Sequence, residues 1–385
     1  MVSGKTTAAE NPSLFFYTNH SSNKNSIFAA PIIFKIMNQK ETLRFYGAFE
    51  EHLSAYLQTH DFSKIFILAD SCILDLFYER IICRCEVLSH AEILETDCGE
   101  TAKDLEIAAG VWSTLMQLQA DRNSLLIGLG GGSITDLCGF LATTYMRGMP
   151  FVLIPTTLLA QTDAAIGGKN GINFEGGKNI IGTFNMPNAI FLDHTFLSTL
   201  DHRQLLSGFA EMLKYGLALN KNYWNKLLQI ELPNISQEWI EEAVNLKVQL
   251  IEKDFNDYGE RRKLNFGHTF GHALESWSQQ TKRPYFHGEA VAVGLVFEAF
   301  LSLSYAALSK PEFDSIYQFI SKHYAMPHLT ESDLYDLIQR MKIDKKNSRQ
   351  NFNFTLLNAI GSSKTNTFIP EENLTTCLKT FFQIL

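Results

Sequence analysis

The stretch Ser124–Ala142, SLLIGLGGGSITDLCGFLA, decides the fold. A short apolar run of strand length ends at Leu129, Gly130, Gly131 and Gly132 follow, and Ile134, Leu137 and Leu141 then recur at helical spacing. This is a strand–turn–helix unit. Glycines let a backbone approach closely, and a helix start offers free N–H groups and the positive end of its dipole to a diphosphate. The usual G-x-G-x-x-G is not kept, because counting from Gly128 puts Ser133 at the third glycine position. On these residues alone a dinucleotide site and a plain strand-to-helix turn stand equal. Ser133 and Asp136 have capping-box spacing.

Working outward, Ile65–Ala69, Phe151–Ile154 and Ala189–Leu192 are further short apolar runs closed by polar or glycine-rich turns, with helical patterns between them. Such alternation predicts a parallel sheet covered by helices. After residue 200 the texture changes, and His202–Leu219, Ser236–Lys253, His268–Trp277, Gly288–Leu308 and Ser315–His323 all read at helical period. The chain's 385 residues exceed what one core usually organises, near roughly 250 to 300. The expected fold class is therefore an α/β N-terminal Rossmann-like parallel-sheet domain (41–200) plus an all-α C-terminal domain (201–385). An N-terminal arm and first strand (1–40) precede them, and the active site is expected in the cleft between the two domains.

Composition excludes several classes. With 33 Lys+Arg against 41 Asp+Glu the net charge is −8, which argues against a nucleic-acid partner. Glu289 and Glu298 interrupt or border the most apolar stretch, around Ala290–Leu308, so it is read as a buried helix and no membrane span is expected. The six cysteines (72, 83, 85, 98, 138, 377) form no Cys-x-x-Cys pair. Their spacing supports neither a disulfide framework nor a thiolate metal site, and a reducing cytoplasm is the expected location.

Three further segments carry chemistry. IGGKNGINFEGGKNIIG places Lys169 and Lys178 in glycine-rich turns, a constellation suited to an anion, though a hairpin with two solvated lysines has the same pattern. In NFGHTFGHALE, His268 and His272 lie four apart and share a helical face, and His287 opens HGEAVAVG; zinc is favoured, and spacing alone does not choose between the three histidines. In LLSGFAEMLKYG the apolar stripe of Leu205, Phe209, Met212 and Leu213 leaves Glu211 and Lys214 on the other side, the (i, i+3) arrangement of a solvated ion pair. Arg261 beside Arg262 and Lys263 reads, by itself, as a solvated basic cluster.

Taken together, Gly-Gly-Gly-x-x-x-Asp at 130–136, Tyr-Met-Arg-Gly at 145–148, Pro-Thr-Thr-Leu-Leu at 155–159, the two Gly-Gly-Lys segments, Ala-Glu-Met-Leu-Lys-Tyr-Gly at 210–216, Arg-x-x-x-Asn-Phe-Gly-His-Thr-Phe-Gly-His at 261–272 and His-Gly-Glu-Ala-Val-Ala at 287–292 resemble 3-dehydroquinate synthase. The resemblance is ordered and runs from about residue 65 to 361. The wider superfamily of iron-dependent alcohol and glycerol dehydrogenases shares the glycine loop, whereas the lysine and double-histidine segments match the sugar-phosphate cyclases.

The resemblance implies Zn²⁺, or Co²⁺ in its place, on Glu211, His268 and His287, with His272 left either to support a metal ligand from behind or to contact phosphate. It implies NAD on Asp70, Glu100, Lys103, Gly131, Gly132, Ser133, Asp136, Thr156 and Thr157, with Lys169, Lys178 and Asn179 close by. Substrate would meet Asp163, Lys169, Lys178, Asn179, Lys214, Lys247, Arg261, Asn265, His272 and Lys345 or Lys346, and Arg147 would reach across a homodimer interface. The implied reaction cyclises 3-deoxy-D-arabino-heptulosonate 7-phosphate to 3-dehydroquinate with loss of phosphate, NAD being reduced and reoxidised within one turnover. Asp257, Phe255, Gln204 and Asn170 depart from the family pattern, and the Glu-to-Asp shortening at 257 is expected to lengthen a contact to a lysine. The competing readings are a sibling cyclase using a sugar phosphate such as sedoheptulose 7-phosphate, an NAD-dependent polyol dehydrogenase, and a non-catalytic metal-binding protein.

Overall fold

The computed structural model describes residues 42–83, 85–343 and 351–384. The arm and first strand expected at 1–40, and Lys345 and Lys346, lie outside the described residues. The first half alternates as β1 (Leu43–Tyr46), α1 (Phe49–Gln58), β2 (Ile65–Asp70), α2 (Ser71–Phe77), β3 (Glu92–Thr96), α3 (Leu105–Gln117), β4 (Leu125–Gly130), α4 (Gly132–Thr144) and β5 (Phe151–Pro155). A hairpin of β6 (Lys169–Phe174) and β7 (Gly177–Phe184) and then β8 (Ala189–Leu192) complete it. Six strands form a parallel sheet in the order β1-β8-β5-β4-β2-β3. The order reverses direction at β2 and β4, so the carboxyl ends of those strands open a crevice of the kind where ligands bind. Asp70 and Gly130 end the two strands.

The second half is helical: α5 (His202–Leu219), α6 (Lys221–Leu227), α7 (Gln237–Lys253), α8 (His268–Ser278), α9 (His287–Tyr305), α10 (Lys310–His323) and α11 (Glu331–Ile343). Against the expected all-α domain it also carries an antiparallel hairpin of β9 (Asn351–Ala359) and β10 (Ser362–Pro370), before α12 (Glu371–Ile384), and α6, α11 and α12 add to the helices read from the sequence. The largest apolar core is continuous across residue 200, joining Leu137 and Leu153 to Phe209, Phe270 and Val293. By length and composition α9 is apolar enough to cross a membrane, but 72% of its apolar window is buried by the rest of the molecule. It is the central helix of the core.

Two backbone approaches set the site's geometry. A Cβ on Gly288 would lie 1.9 Å from the Ser207 carbonyl oxygen, so α9 starts in backbone contact with α5. A Cβ on Gly294 would meet the Gly267 oxygen at the same distance, so α8 starts equally close to α9. Three helices therefore bring His287, Glu211 and His268 to one point.

The cysteine expectation is overturned at one pair. Cys72 and Cys98 form a disulfide across 26 residues of sequence. No sequence spacing announces it, because the parallel pairing of β2 with β3 is what brings the turns after both strands together.

Candidate active site

The glycine turn forms as expected, with Gly131 as the N-cap of α4. The capping box does not: Ser133 Oγ donates to Glu100 Oε2 at 3.0 Å, and Asp136 accepts from Lys103 Nζ at 2.8 Å. Tertiary partners claim both side chains before the helix start can use them. Lys103, 4% exposed at its side chain, also donates to Asn179 Oδ1, so the hairpin is tied to the sheet. Asp70 is buried and accepts from the Ile73 N–H at 2.9 Å. Thr157 supports its own turn by accepting from the Ala160 N–H at 3.1 Å. Thr156 Oγ1 is buried with no hydrogen-bond partner among the described residues at the carboxyl end of β5, beside the glycine turn whose Gly130 oxygen accepts the Thr156 N–H. An orphaned hydroxyl, a buried carboxylate and close-approach glycines around one crevice fit a dinucleotide.

A second cluster is more deeply buried. Asp163, on a short π-helical turn (Ala160–Ala164), accepts from Lys247 Nζ at 2.8 Å, and Lys247 also donates to the Asp163 carbonyl at 2.5 Å. Lys214 lies 3.8 Å from Asp163 and closer still to Glu211 Oε2. Tyr215 donates its hydroxyl to Asp163 Oδ1. Glu211 is 0% and Lys214 2% exposed, which corrects the solvated ion pair expected of them: α5 is buried on every side, and their spacing reflects a core ion pair. Burial would raise the Asp163 carboxyl, but the ammonium groups of Lys247 and Lys214 outweigh it and hold the group below the usual carboxylate range. Burial, with Arg261 and Lys214 nearby, lowers Lys247 to about 8 against the pull of Asp163.

Arg261 is 3% exposed and not part of a solvated basic cluster. Its guanidinium donates to the Phe255 carbonyl at 2.7 Å and the Gly167 carbonyl at 3.1 Å, and Asp254 caps its backbone N–H at 3.1 Å. Asn265 follows at the end of the same 3-10 turn, half-buried. Lys169 pairs with Asp257 at 2.5 Å, so the lengthening expected of the shorter side chain does not occur. Asp257 takes a left-handed φ of 61°. Arg147 is exposed on a left-handed turn after α4 and does not join either cluster.

The metal candidates converge. Glu211 Oε1 lies 3.4 Å from His268 Nε2 and 3.2 Å from His287 Nε2. Donors about 2.05 Å from a tetrahedral centre stand roughly 3.3 Å apart, so both distances from the Glu211 oxygen match edges of a zinc site. Glu298, fully buried, accepts from the N–H groups of Gly267, Thr269 and Phe270 at 2.7 to 3.2 Å and so fixes the start of α8 under His268. Burial would lower His287, yet its bonds to Glu211 and Glu275 raise it to about 10, so the site favours positive charge there. His272 is exposed, with ring centres 5.1 and 5.7 Å from those of His268 and His287. The three imidazoles also form a possible donor set within 4.8 Å, but only the set with Glu211 uses a buried carboxylate already aimed at two ring nitrogens.

Family models for the 3-dehydroquinate synthase N-terminal region match residues 93–207, and for its C-terminal region residues 208–347. The chain belongs to the 3-dehydroquinate synthase family. A 3-dehydroquinate synthase of Parabacteroides distasonis is 36% identical over 84% of this chain and 93% of its own length, and one of Pyrococcus furiosus is 41% identical over 74% and 82%. A solved 2-deoxy-scyllo-inosose synthase, complexed with carbaglucose-6-phosphate, NAD⁺ and Co²⁺, superposes with a TM-score of 0.78 at 22% identity, covering 92% of this chain and 99% of that one; it shares the fold. Two polar residues in contact with these clusters, Glu275 and Tyr215, escaped the sequence reading. Glu275 shares the helical face of His268 and His272, a spacing signal that was available, whereas Tyr215 lies in a quoted motif with nothing to mark its hydroxyl.

Proposed function

We propose that the chain cyclises 3-deoxy-D-arabino-heptulosonate 7-phosphate to 3-dehydroquinate with release of phosphate, on a metal held by Glu211, His268 and His287 and with NAD in the crevice at β2 and β4. The observation that carries this reading is a buried surplus of positive charge, Lys214, Lys247 and Arg261 against Glu211 and Asp163, beside a carboxylate–imidazole triad. When bound, Zn²⁺ or Co²⁺ supplies polarisation of a substrate hydroxyl, and NAD a reversible hydride acceptor.

The chain's own residues do the rest. Asp163 holds Lys247 and Lys214 in place, so their ammonium groups face an anion without having to be ordered first. Arg261, pinned by two backbone carbonyls, presents its remaining N–H donors in fixed geometry to a carboxylate. Lys169, Lys178 and Asn179 come from the hairpin, Asn265 from the turn before α8, and exposed His272 is placed to carry charge of the departing phosphate. Asp70, Glu100, Lys103, Gly131, Gly132, Ser133, Asp136, Thr156 and Thr157 form the cofactor side. We read the enzyme as a homodimer in which exposed Arg147 serves the neighbouring site.

Incubation with NAD, Zn²⁺ and either the heptulosonate phosphate or sedoheptulose 7-phosphate, followed by NMR identification of the carbocycle, tests the reading. Dehydroquinate from the first substrate alone is the expected result. Turnover of the second alone assigns the chain to a sibling cyclase.

A further inference from the structure

Glu275 is 8% exposed and sits two turns along α8 from His268. Its two oxygens serve different elements. Oε2 lies 3.0 Å from His287 Nδ1, at the start of α9, while Oε1 accepts from Lys178 Nζ, on the β7 strand of the hairpin. The Lys178 side chain is 52% exposed and is therefore oriented by this one buried carboxylate, not by packing. With the Lys178 ammonium donating to Oε1, the carboxylate offers Oε2 to His287 as an acceptor. His287 must then carry a proton on Nδ1, which leaves Nε2 directed at Glu211 Oε1, 3.2 Å away.

We propose that Glu275 is a positioning residue that couples the metal centre to the hairpin, one oxygen fixing the tautomer of His287 and the other holding Lys178 beside it. Second-sphere carboxylates of this kind set ring orientation and ligand basicity. Here the same group also anchors a cation of the anion site, so loss of the carboxylate disturbs both. The inference rests on Glu211, His268 and His287 being the metal ligands.

Zinc affinity, measured by competition with a chromophoric chelator, and the steady-state constants of the zinc-saturated enzyme test it in Glu275→Ala and Glu275→Gln. Glu275→Ala should weaken zinc binding by about 10- to 100-fold. In Glu275→Gln the amide carbonyl still accepts from Nδ1 while its NH₂ faces the Lys178 ammonium. That variant should keep more of the zinc affinity and, at saturating zinc, show a raised KM for the phosphorylated substrate with a smaller change in kcat. Zinc affinity of Glu275→Ala within about twofold of wild type, or an unchanged KM in Glu275→Gln, overturns the proposal. Should neither variant fold, long-range ¹H–¹⁵N correlation on the zinc-loaded wild type decides it: a proton on His287 Nδ1 is expected, and a proton on Nε2 refutes it. A wild type that binds no zinc fails at the ligand set itself and removes this inference with it, an outcome distinct from failure in the variants alone.

Discussion

The two sides of the site differ in how their charges close. On the sheet side, Lys103 lies 2.8 Å from Asp136 and 3.8 Å from Glu100, one cation against two carboxylates, with Asn179 taking a further bond. On the helical side the buried cations Lys214, Lys247 and Arg261 stand beside Glu211 and Asp163; half-buried Asp254 and Asp257 also act on Arg261, but Asp254 is taken up by backbone N–H groups and Asp257 by Lys169. The first arrangement has no cation to spare, so an anion there would rely on backbone N–H groups at the glycine turn. The second is unfinished. Buried charge is costly without a partner, so this region is poised for a multiply charged anion.

The largest effect should come from the metal corner of the helical side. His287→Ala removes a donor nitrogen and should weaken zinc binding by more than the roughly 100-fold typical of losing a second-sphere partner, whereas exposed His272→Ala should keep its metal. Equal loss in both variants, by metal analysis after dialysis, would show that the three imidazoles are the ligands.

Next in size is Asp163. Its removal in Asp163→Ala leaves Lys214 and Lys247 facing one another and should destabilise the ligand-free fold by about 3 kcal/mol, the low end for a broken buried pair because its side chain keeps 23% exposure. Denaturant unfolding measures this, and inorganic phosphate should recover part of the loss by standing in for the carboxylate. No stabilisation by phosphate would mean that the cations do not face a shared anion site.

How much of this was legible in the sequence depended on burial. The four strands read from apolar runs, Ile65–Asp70, Leu125–Gly130, Phe151–Pro155 and Ala189–Leu192, are the interior strands of the sheet, covered on both faces. Leu43–Tyr46 and Glu92–Thr96 are its edges, and Arg44, Glu92 and Glu95 break any apolar run there, so they gave no signal. Edge strands that carry charge are the ordinary case. In the site, Glu211 and Lys214 read as solvated because an apolar stripe implies a wet opposite face, and Arg261 because Arg262 and Lys263 follow it; α5 has no wet face, since α9, α6 and α7 enclose it, and Arg261 is folded inward on its own turn. Only the resemblance to a family assigned them function.

Arg261→Lys is the third test. Lysine cannot bond the Gly167 and Phe255 carbonyls and also present a planar fork, so the barrier should rise by about 1.5 to 3 kcal/mol, the scale of a hydrogen bond to a charged group. That is roughly 10- to 150-fold in kcat/KM with zinc affinity unchanged. A kcat/KM within the error of wild type would return Arg261 to a structural role.

The smallest effect is in pH. Lys247, lowered to about 8 by burial, loses its charge as pH rises through that value, and the cation surplus falls with it. In the free enzyme kcat/KM should therefore decline above pH 8, by about tenfold near pH 9, while kcat declines later because bound anion restores the charged form. A flat kcat/KM profile between pH 7 and about 9.5 would contradict the assignment of Lys247 to the anion site.

The central claim is that the crevice and the buried cluster perform one redox-neutral cyclisation. Its most direct test supplies the heptulosonate phosphate in large excess over NAD and follows phosphate and NADH absorbance together. Phosphate release far beyond the NAD present, with no accumulating NADH, is the predicted result. NADH forming in step with substrate loss and without phosphate release would contradict it and make the chain a dehydrogenase.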